Sequence, residues 1–322
     1  MVSAAGGLRA AGIVAGYLAD RFFGDPRRGH PVAAFGWLAN GAESVTYRDH
    51  RAAGAVHTTV LVAGVTLASV LVQRGAANGA ATAVVVAAGT WAALGGTTLA
   101  RTGTEMADLL AAGDVEQARV LLPSLCGRDP ASLDGPGLAR AALESVAENT
   151  SDAAVAPLLW AAIAGLPGVL GYRAINTLDA MIGNRSPRYA RFGWAAARLD
   201  DVANYPAARL SATLTALCAP LAGGSTRGAL RAWRRDAARH PSPNAGVAEA
   251  AFAGALGVQL GGPTQYGHQL EIRPTLGDGR LPQPDDLHRA VRLSRLVQLA
   301  AVVMAAAITV VGRTGRRASP RW

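Results

Sequence analysis

The chain has 322 residues, half of them hydrophobic and only 16% charged, with a formal net charge of +9. All 31 basic residues are arginine, which excludes chemistry built on a phosphate-binding Walker lysine, a Schiff base or a lysine adenylate. The arginines are spread through connecting segments without interleaved stacking aromatics, which argues against nucleic acid and for membrane charge bias plus recognition of small anions.

Aromatics stay at 5% while alanine and glycine dominate, the small-residue composition that lets membrane helices approach closely. Residues 8–23 form the first apolar segment; Asp20 and Arg21 interrupt it and no small-residue cleavage site closes it, so it reads as retained. It runs into a Gly/Pro loop carrying Asp25, Arg27, Arg28 and His30. Two arginines there suit a phosphate or carboxylate, with a basic juxtamembrane loop as the alternative. Residues 54–73 and 79–100 each supply roughly 20 positions without an acid or arginine, enough for a hydrocarbon core of about 30 Å. His57 within the first reads as a satisfied polar group. Residues 101–140 read as a soluble helical insert, in which Gly113 closes one helix and Asp114 to Gln117 opens the next as a capping box.

Residues 153–172 contain Pro157 and Gly165-Leu166-Pro167-Gly168, which break the helix midway into a kinked span or two re-entrant halves. An apolar run at 202–223 precedes an arginine-rich helix at 227–239, the turn His240-Pro241-Ser242-Pro243-Asn244 and a Gly/Ala helix over 249–262. Residues 264–286, rich in proline, glycine and charge, are expected as a surface loop. Residues 293–312 make the final span, and Arg313, Arg316, Arg317 and Arg321 after it favour a cytoplasmic end. The expected fold over 1–322 is a single membrane-embedded, all-α domain. It is polytopic, with about four to six transmembrane helices, one of them broken or re-entrant, plus soluble helical inserts.

The polar residues concentrate between 140 and 204. On a helix, Glu144, Glu148 and Asp152 fall within about 80° of one another, a self-repelling row that makes sense beneath a cation. Tyr172-Arg173, Asn176 and Asp179, and then Arg198, Asp200, Asp201 and Asn204, repeat the theme. A solvated acidic face is the competing reading; against it, apolar flanks place the acids at the mouths of membrane segments, where ionisable groups are costly. The sequence has no P-loop, nucleophile elbow, C-x-x-C or H-E-x-x-H. What remains is carboxylate, asparagine and arginine, the set that holds Mg²⁺ through a few oxygens while arginines clamp phosphates. Glu148, Asp152, Asp179, Asp200 and Asp201 are the candidate metal ligands, and with Glu144 the candidate catalytic acids.

Five blocks, the Asp20 to Pro31 loop, Glu144 to Asp152, Tyr172 to Met181, Phe192 to Pro206 and His240 to Gly246, strongly resemble the CobD/CbiB family of cobalamin biosynthesis, in order over nearly the whole chain. The resemblance implies an integral membrane adenosylcobinamide-phosphate synthase, using Mg²⁺ and ATP to join aminopropanol or its phosphate to a propionate of adenosylcobyric acid. Carried onto this sequence, it implies substrate or ATP contacts from Asp25, Arg27, Arg28, His30, Asn149, Arg173, Asn176, Arg185, Arg198, Asn204, His240 and Asn244. Membrane lipid, a second copy and other membrane-associated corrinoid enzymes are the further partners it suggests; nucleic acid is not among them. The active-site loops are expected on the cytoplasmic face of the cell membrane. A related branch linked to β-lactamase signalling makes a non-catalytic membrane sensor the alternative.

Overall fold

The computed structural model describes residues 4–25, 29–184, 186–266 and 269–311. The chain runs through α1 (Ala4–Phe23), α2 (Pro31–Thr46), α3 (Arg51–Gly75), α4 (Gly79–Ala93), α5 (Gly96–Ala111), α6 (Val115–Leu121) and α7 (Gly135–Thr150). A π turn, Ser151–Val155, leads into α8 (Ala156–Ala164), α9 (Leu166–Ile182), α10 (Tyr189–Phe192) and α11 (Trp194–Cys218). Then come α12 (Thr226–Asp236), α13 (Ala245–Leu256), strands β1 (Leu260–Tyr266) and β2 (Gln269–Leu276), and α14 (Pro284–Val311).

The fold is helical almost throughout. Three helical stretches, Arg51–Gly75, Gly79–Ala111 and Pro284–Val311, are long and apolar enough to cross a membrane, and shorter apolar helices such as Ala245–Leu256 accompany them. Contacts divide the chain into two compact units: one of residues 1–95, 156–204 and 301–322, the other of residues 96–155 and 205–300.

In the first unit α1 lies directly on α4, because glycine faces it. A Cβ at Gly12 or Gly16 would come within 2.6 Å of the carbonyl oxygens of Ala83 and Ala87. The helix break expected near residue 165 is present: Gly165 takes φ +69°, and Gln73 Oε1 accepts the Leu166 N–H at 2.8 Å, capping α9 with a side chain from α3. Ala39, Leu178, Ile182, Phe192 and Ala196 form a buried cluster. His57 is satisfied as expected, its Nδ1 2.8 Å from Thr46 Oγ1 and its ring against Phe192.

In the second unit α7 and α13 are buried along most of their length. α12 packs on α13 through a reciprocal glycine pair, Gly228 and Gly254, each leaving no room for a Cβ against the other's backbone. Gly113, at φ +75°, closes α5, and Asp114 caps α6 by accepting from Gln117 N at 3.1 Å, as the sequence predicts. Part of the stretch expected as a surface loop at 264–286 instead forms an antiparallel hairpin, with Leu260 opposite Leu276 and Thr264 opposite Glu271. Positive φ at Gly261 and Gly262 accommodates the bulge at its base.

Candidate functional site

The polar face of α9 meets that of α11 in the first unit. Tyr172, Arg173, Asn176 and Asp179 recur at helical spacing on α9; Arg198, Asp200, Asp201 and Asn204 occupy the first turns of α11. Tyr172 donates its hydroxyl proton to Asn204 Oδ1 at 2.8 Å, and Asn204 Nδ2 donates to Asp200 Oδ2 at 2.9 Å. Asn176 Nδ2 reaches the other Asp200 oxygen at 3.3 Å, and Arg173 Nη1 lies 3.4 Å from Asn176 Oδ1. Arg198 pairs with Asp201 at 3.5 Å. A half-buried carboxylate is thus held between two amides with a second carboxylate next to it. Burial, opposed by the two amide hydrogen bonds and reinforced by Asp201, raises the Asp200 pKa to about 6.

The first loop contributes to the same unit. His30 Nδ1 accepts from Val32 N at 3.1 Å, capping α2, which turns Nε2 toward Asp25 at 3.6 Å. Arg27, Arg28 and Arg185 lie outside the described residues, as do the arginines that follow α14. An apolar cavity of about 180 Å³ is lined by Pro31, Val32, Phe35, Leu170, Arg173 and Thr177, so the first turn of α2 and Arg173 border one space.

The acids of α7 belong to the second unit and are not equivalent. Glu144 is buried, paired with Arg128, and its Oε1 accepts the Gly261 N–H at 2.7 Å. Arg140 completes this clamp on the hairpin, donating to the carbonyls of Gly261 at 2.7 Å and Pro263 at 2.8 Å. Glu144 is therefore engaged in holding the hairpin base. Glu148 and Asp152 are half-buried, and Asn149 donates to Ser145 O at 3.0 Å. The wider π turn begins at Ser151, so the 100° step that would stack Asp152 over Glu148 does not hold there. Among the described residues no group of three or more His, Cys, Asp or Glu side chains is placed to hold a metal by itself.

Sequence reasoning missed Glu249. It lies in α13, 1% exposed, and among the described residues neither carboxylate oxygen accepts a hydrogen bond. His240 Nε2 and Arg273 Nη1 each stand 4.0 Å away. Burial holds its carboxyl well above the usual range, reinforced by the field of Glu144 and Glu148 and opposed by Arg273 and Arg128. One acid isolated in an Ala/Gly/Phe run was the available signal. His240 is set by its own turn, Nδ1 accepting from Ser242 N at 3.1 Å, and Asn244 Oδ1 accepts from Arg209 at 2.9 Å. Arg128 and Arg273 were likewise missed, as was Glu43 of the first unit, which accepts from Arg188 at 2.7 Å and from Tyr189 at 3.1 Å.

Fold and site together define a nearly all-α membrane protein with acid, amide and guanidinium networks on its helices and the loops beside them. The family model described as CobD/Cbib protein matches residues 13–294. The chain is 67% identical, over 92% of its length and 95% of the relative, to the "Cobalamin biosynthesis protein CobD" of Mycobacterium tuberculosis. It is 43% identical to the protein of that name from Geobacter metallireducens, over 93% of this chain and 96% of the relative. The same identity holds for the one from Stutzerimonas stutzeri, over 87% and 91%. No solved structure matches. The chain belongs to the CobD/CbiB family of cobalamin biosynthesis proteins.

Proposed function

We propose that this protein is an adenosylcobinamide-phosphate synthase, joining the amine of aminopropanol or its phosphate to a propionate carboxylate of adenosylcobyric acid at the expense of ATP, with its polar loops facing the cytoplasm. The observation that carries the reading is the Asp200 network, one carboxylate fixed between two amides with Asp201 and two arginines beside it. A carboxylate does not condense with an amine in water unless its oxygen is made a leaving group. Transfer of a γ-phosphoryl group to that oxygen does so; the amine nitrogen then attacks the acyl carbon, and phosphate departs with the C–O electron pair.

The donor set fits Mg²⁺, which takes one or two protein carboxylates and completes its shell with water and substrate phosphates. When bound, the ion would offset charge on the phosphate oxygens. Asp200 and Asp201 are the residues to hold it, with Asp179 on the facing α9, and Glu148 and Asp152 are the candidates in the second unit. Asn176 and Asn204 orient Asp200, Tyr172 fixes Asn204, and Arg173 and Arg198 supply planar donors suited to phosphate. The test uses the purified protein in lipid nanodiscs with Mg²⁺, ATP, adenosylcobyric acid and either amine. ADP and an amide product are expected only when corrinoid and amine are both present, and Asp201→Asn or Glu148→Gln should abolish both. ADP release indifferent to corrinoid and amine, or near wild-type product from both amide variants, overturns the assignment.

A further inference from the structure

The synthase reading leaves the arginine-rich helix α12 unused. Arg227, Arg231 and Arg234 recur at i, i+4 and i+7 and are all exposed. None of the three is in an ion pair among the described residues, whereas Arg235 next to them is tied to Asp236 and to Asp278 at 2.7 and 2.9 Å. Which face points outward is fixed from behind: Ala229, Ala232 and Asp236 are buried, and the Gly228–Gly254 contact locks α12 onto α13. The three guanidinium-bearing positions therefore form a row about 10 Å long at 1.5 Å per residue, bordering a shallow groove of about 500 Å³ that Leu230 also lines.

Two further observations place this row at a membrane boundary. Arg289, in the charged first half of α14, donates to Gly223 O at 2.8 Å and to Leu256 O at 3.1 Å, gripping the chain two residues before the α12 cap, Ser225. Seven residues after Arg289, about 10 Å along the axis, the uncharged stretch of this candidate span begins at Leu296. Leu217 and Leu221, at the end of α11 and just after it, are 66% and 61% exposed, and Thr226 Oγ1 ties the start of α12 to Ala216 O at 2.7 Å. Exposed leucines at the end of one helix beside arginines outside any ion pair among the described residues, tied through Arg289 to the approach of a candidate span, are what an interfacial anchor requires, one group for the acyl boundary and the other for headgroups.

We propose that the outer face of α12 is a binding surface for anionic phospholipid headgroups. The geometry favours lipid over one soluble phosphate compound, because the arginines lie in a row and do not converge on a point, and because apolar side chains flank them. Each arginine near a negatively charged leaflet contributes about 1 kcal/mol, so three together shift lipid occupancy by a factor on the order of 10².

The experiment extracts the full-length protein from liposomes of equal phosphatidylcholine and phosphatidylglycerol and measures the retained lipids by native mass spectrometry. The wild type is expected to keep phosphatidylglycerol in large excess, and the Arg227→Gln/Arg231→Gln/Arg234→Gln variant to lose that preference. The triple Arg→Lys variant should keep most of it, and Arg231→Gln alone should show a partial loss should the triple variant fold poorly. Millimolar inorganic phosphate or ATP at fixed ionic strength should not displace the lipid. An unchanged lipid ratio in the glutamine variants, or displacement by phosphate or ATP, overturns the proposal.

Discussion

Removing Arg128 tests the electrostatics of the second unit most directly. Glu144 is 2% exposed and Arg128 8%, and the pair lies where Glu144 also fixes the Gly261 N–H. Arg128→Met preserves bulk and deletes the charge, leaving a carboxylate out of water with one neutral donor. Breaking a buried pair from one side costs about 3–5 kcal/mol, a large part of the 5–15 kcal/mol that typically holds a domain together. Glu144→Gln is expected to cost less, about 1–3 kcal/mol, because the amide oxygen still accepts from Gly261 and only Arg128 is stranded. The double variant should recover a substantial part of the Arg128→Met loss, since no unpaired charge remains, giving a coupling energy of about 1–3 kcal/mol. Unfolding in mixed micelles with increasing dodecyl sulfate, followed by circular dichroism, measures all four corners of the cycle. If Arg128→Met loses under about 1 kcal/mol, or the losses simply add, the pair is not a desolvated one and the account of the hairpin clamp fails.

Three shorter expectations follow from the same geometry. Asp200 is raised from 3.8 to about 6 in the fold, so its contribution to stability is present below pH 3.8 and is lost as pH rises through 6; Asp200→Asn should therefore melt higher than wild type at pH 7.5 and no higher at pH 3.5. For the proposed synthase, activity should rise through pH 6 as Asp200 ionises, and Asp201→Asn, which removes a neighbouring charge that raises Asp200, should shift any residual profile to lower pH. Gly254→Val is expected to destabilise by about 1–3 kcal/mol or more, because the new side chain meets the Gly228 backbone and the Ala232 side chain, and protease sensitivity of the α12 region reports it.

Local chemistry was legible wherever a residue type dictates backbone behaviour. Gly165 and Pro167 announced the break between α8 and α9, Asp114 its capping box, and the two long uncharged runs their spans, because each effect acts within a turn or two of its cause. The acids and amides of α9 and α11 were legible in part for the same reason, since spacings of three and four put Asn176 with Asp179 and Asp200 with Asn204 on common faces. Arg128 was different: its meaning depends on Glu144, sixteen residues on, and on a hairpin still further away. The alternation of Leu270 and Ile272 with Gln269, Glu271 and Arg273 did carry the hairpin signal, but the glycines and prolines around it read as loop. Glu249 was concealed because burial depth is a property of the assembled unit, and its one local trace, a single acid in an alanine-rich run, says nothing of that depth.

The division into two units also bears on how the chain must be made. Each unit draws on stretches separated in sequence, so no single cut releases either one whole. The first unit includes Ala301 and the residues after it, while its opening segments precede Gly95. During synthesis at about 5–20 residues per second, α1 and α4 emerge on the order of ten seconds or more before the end of α14 that completes their unit. Over that interval the early helices have one another and the lipid as neighbours. The glycine faces of Gly12 and Gly16, which let α1 and α4 close on each other directly, equip that first pair to form before the rest arrives.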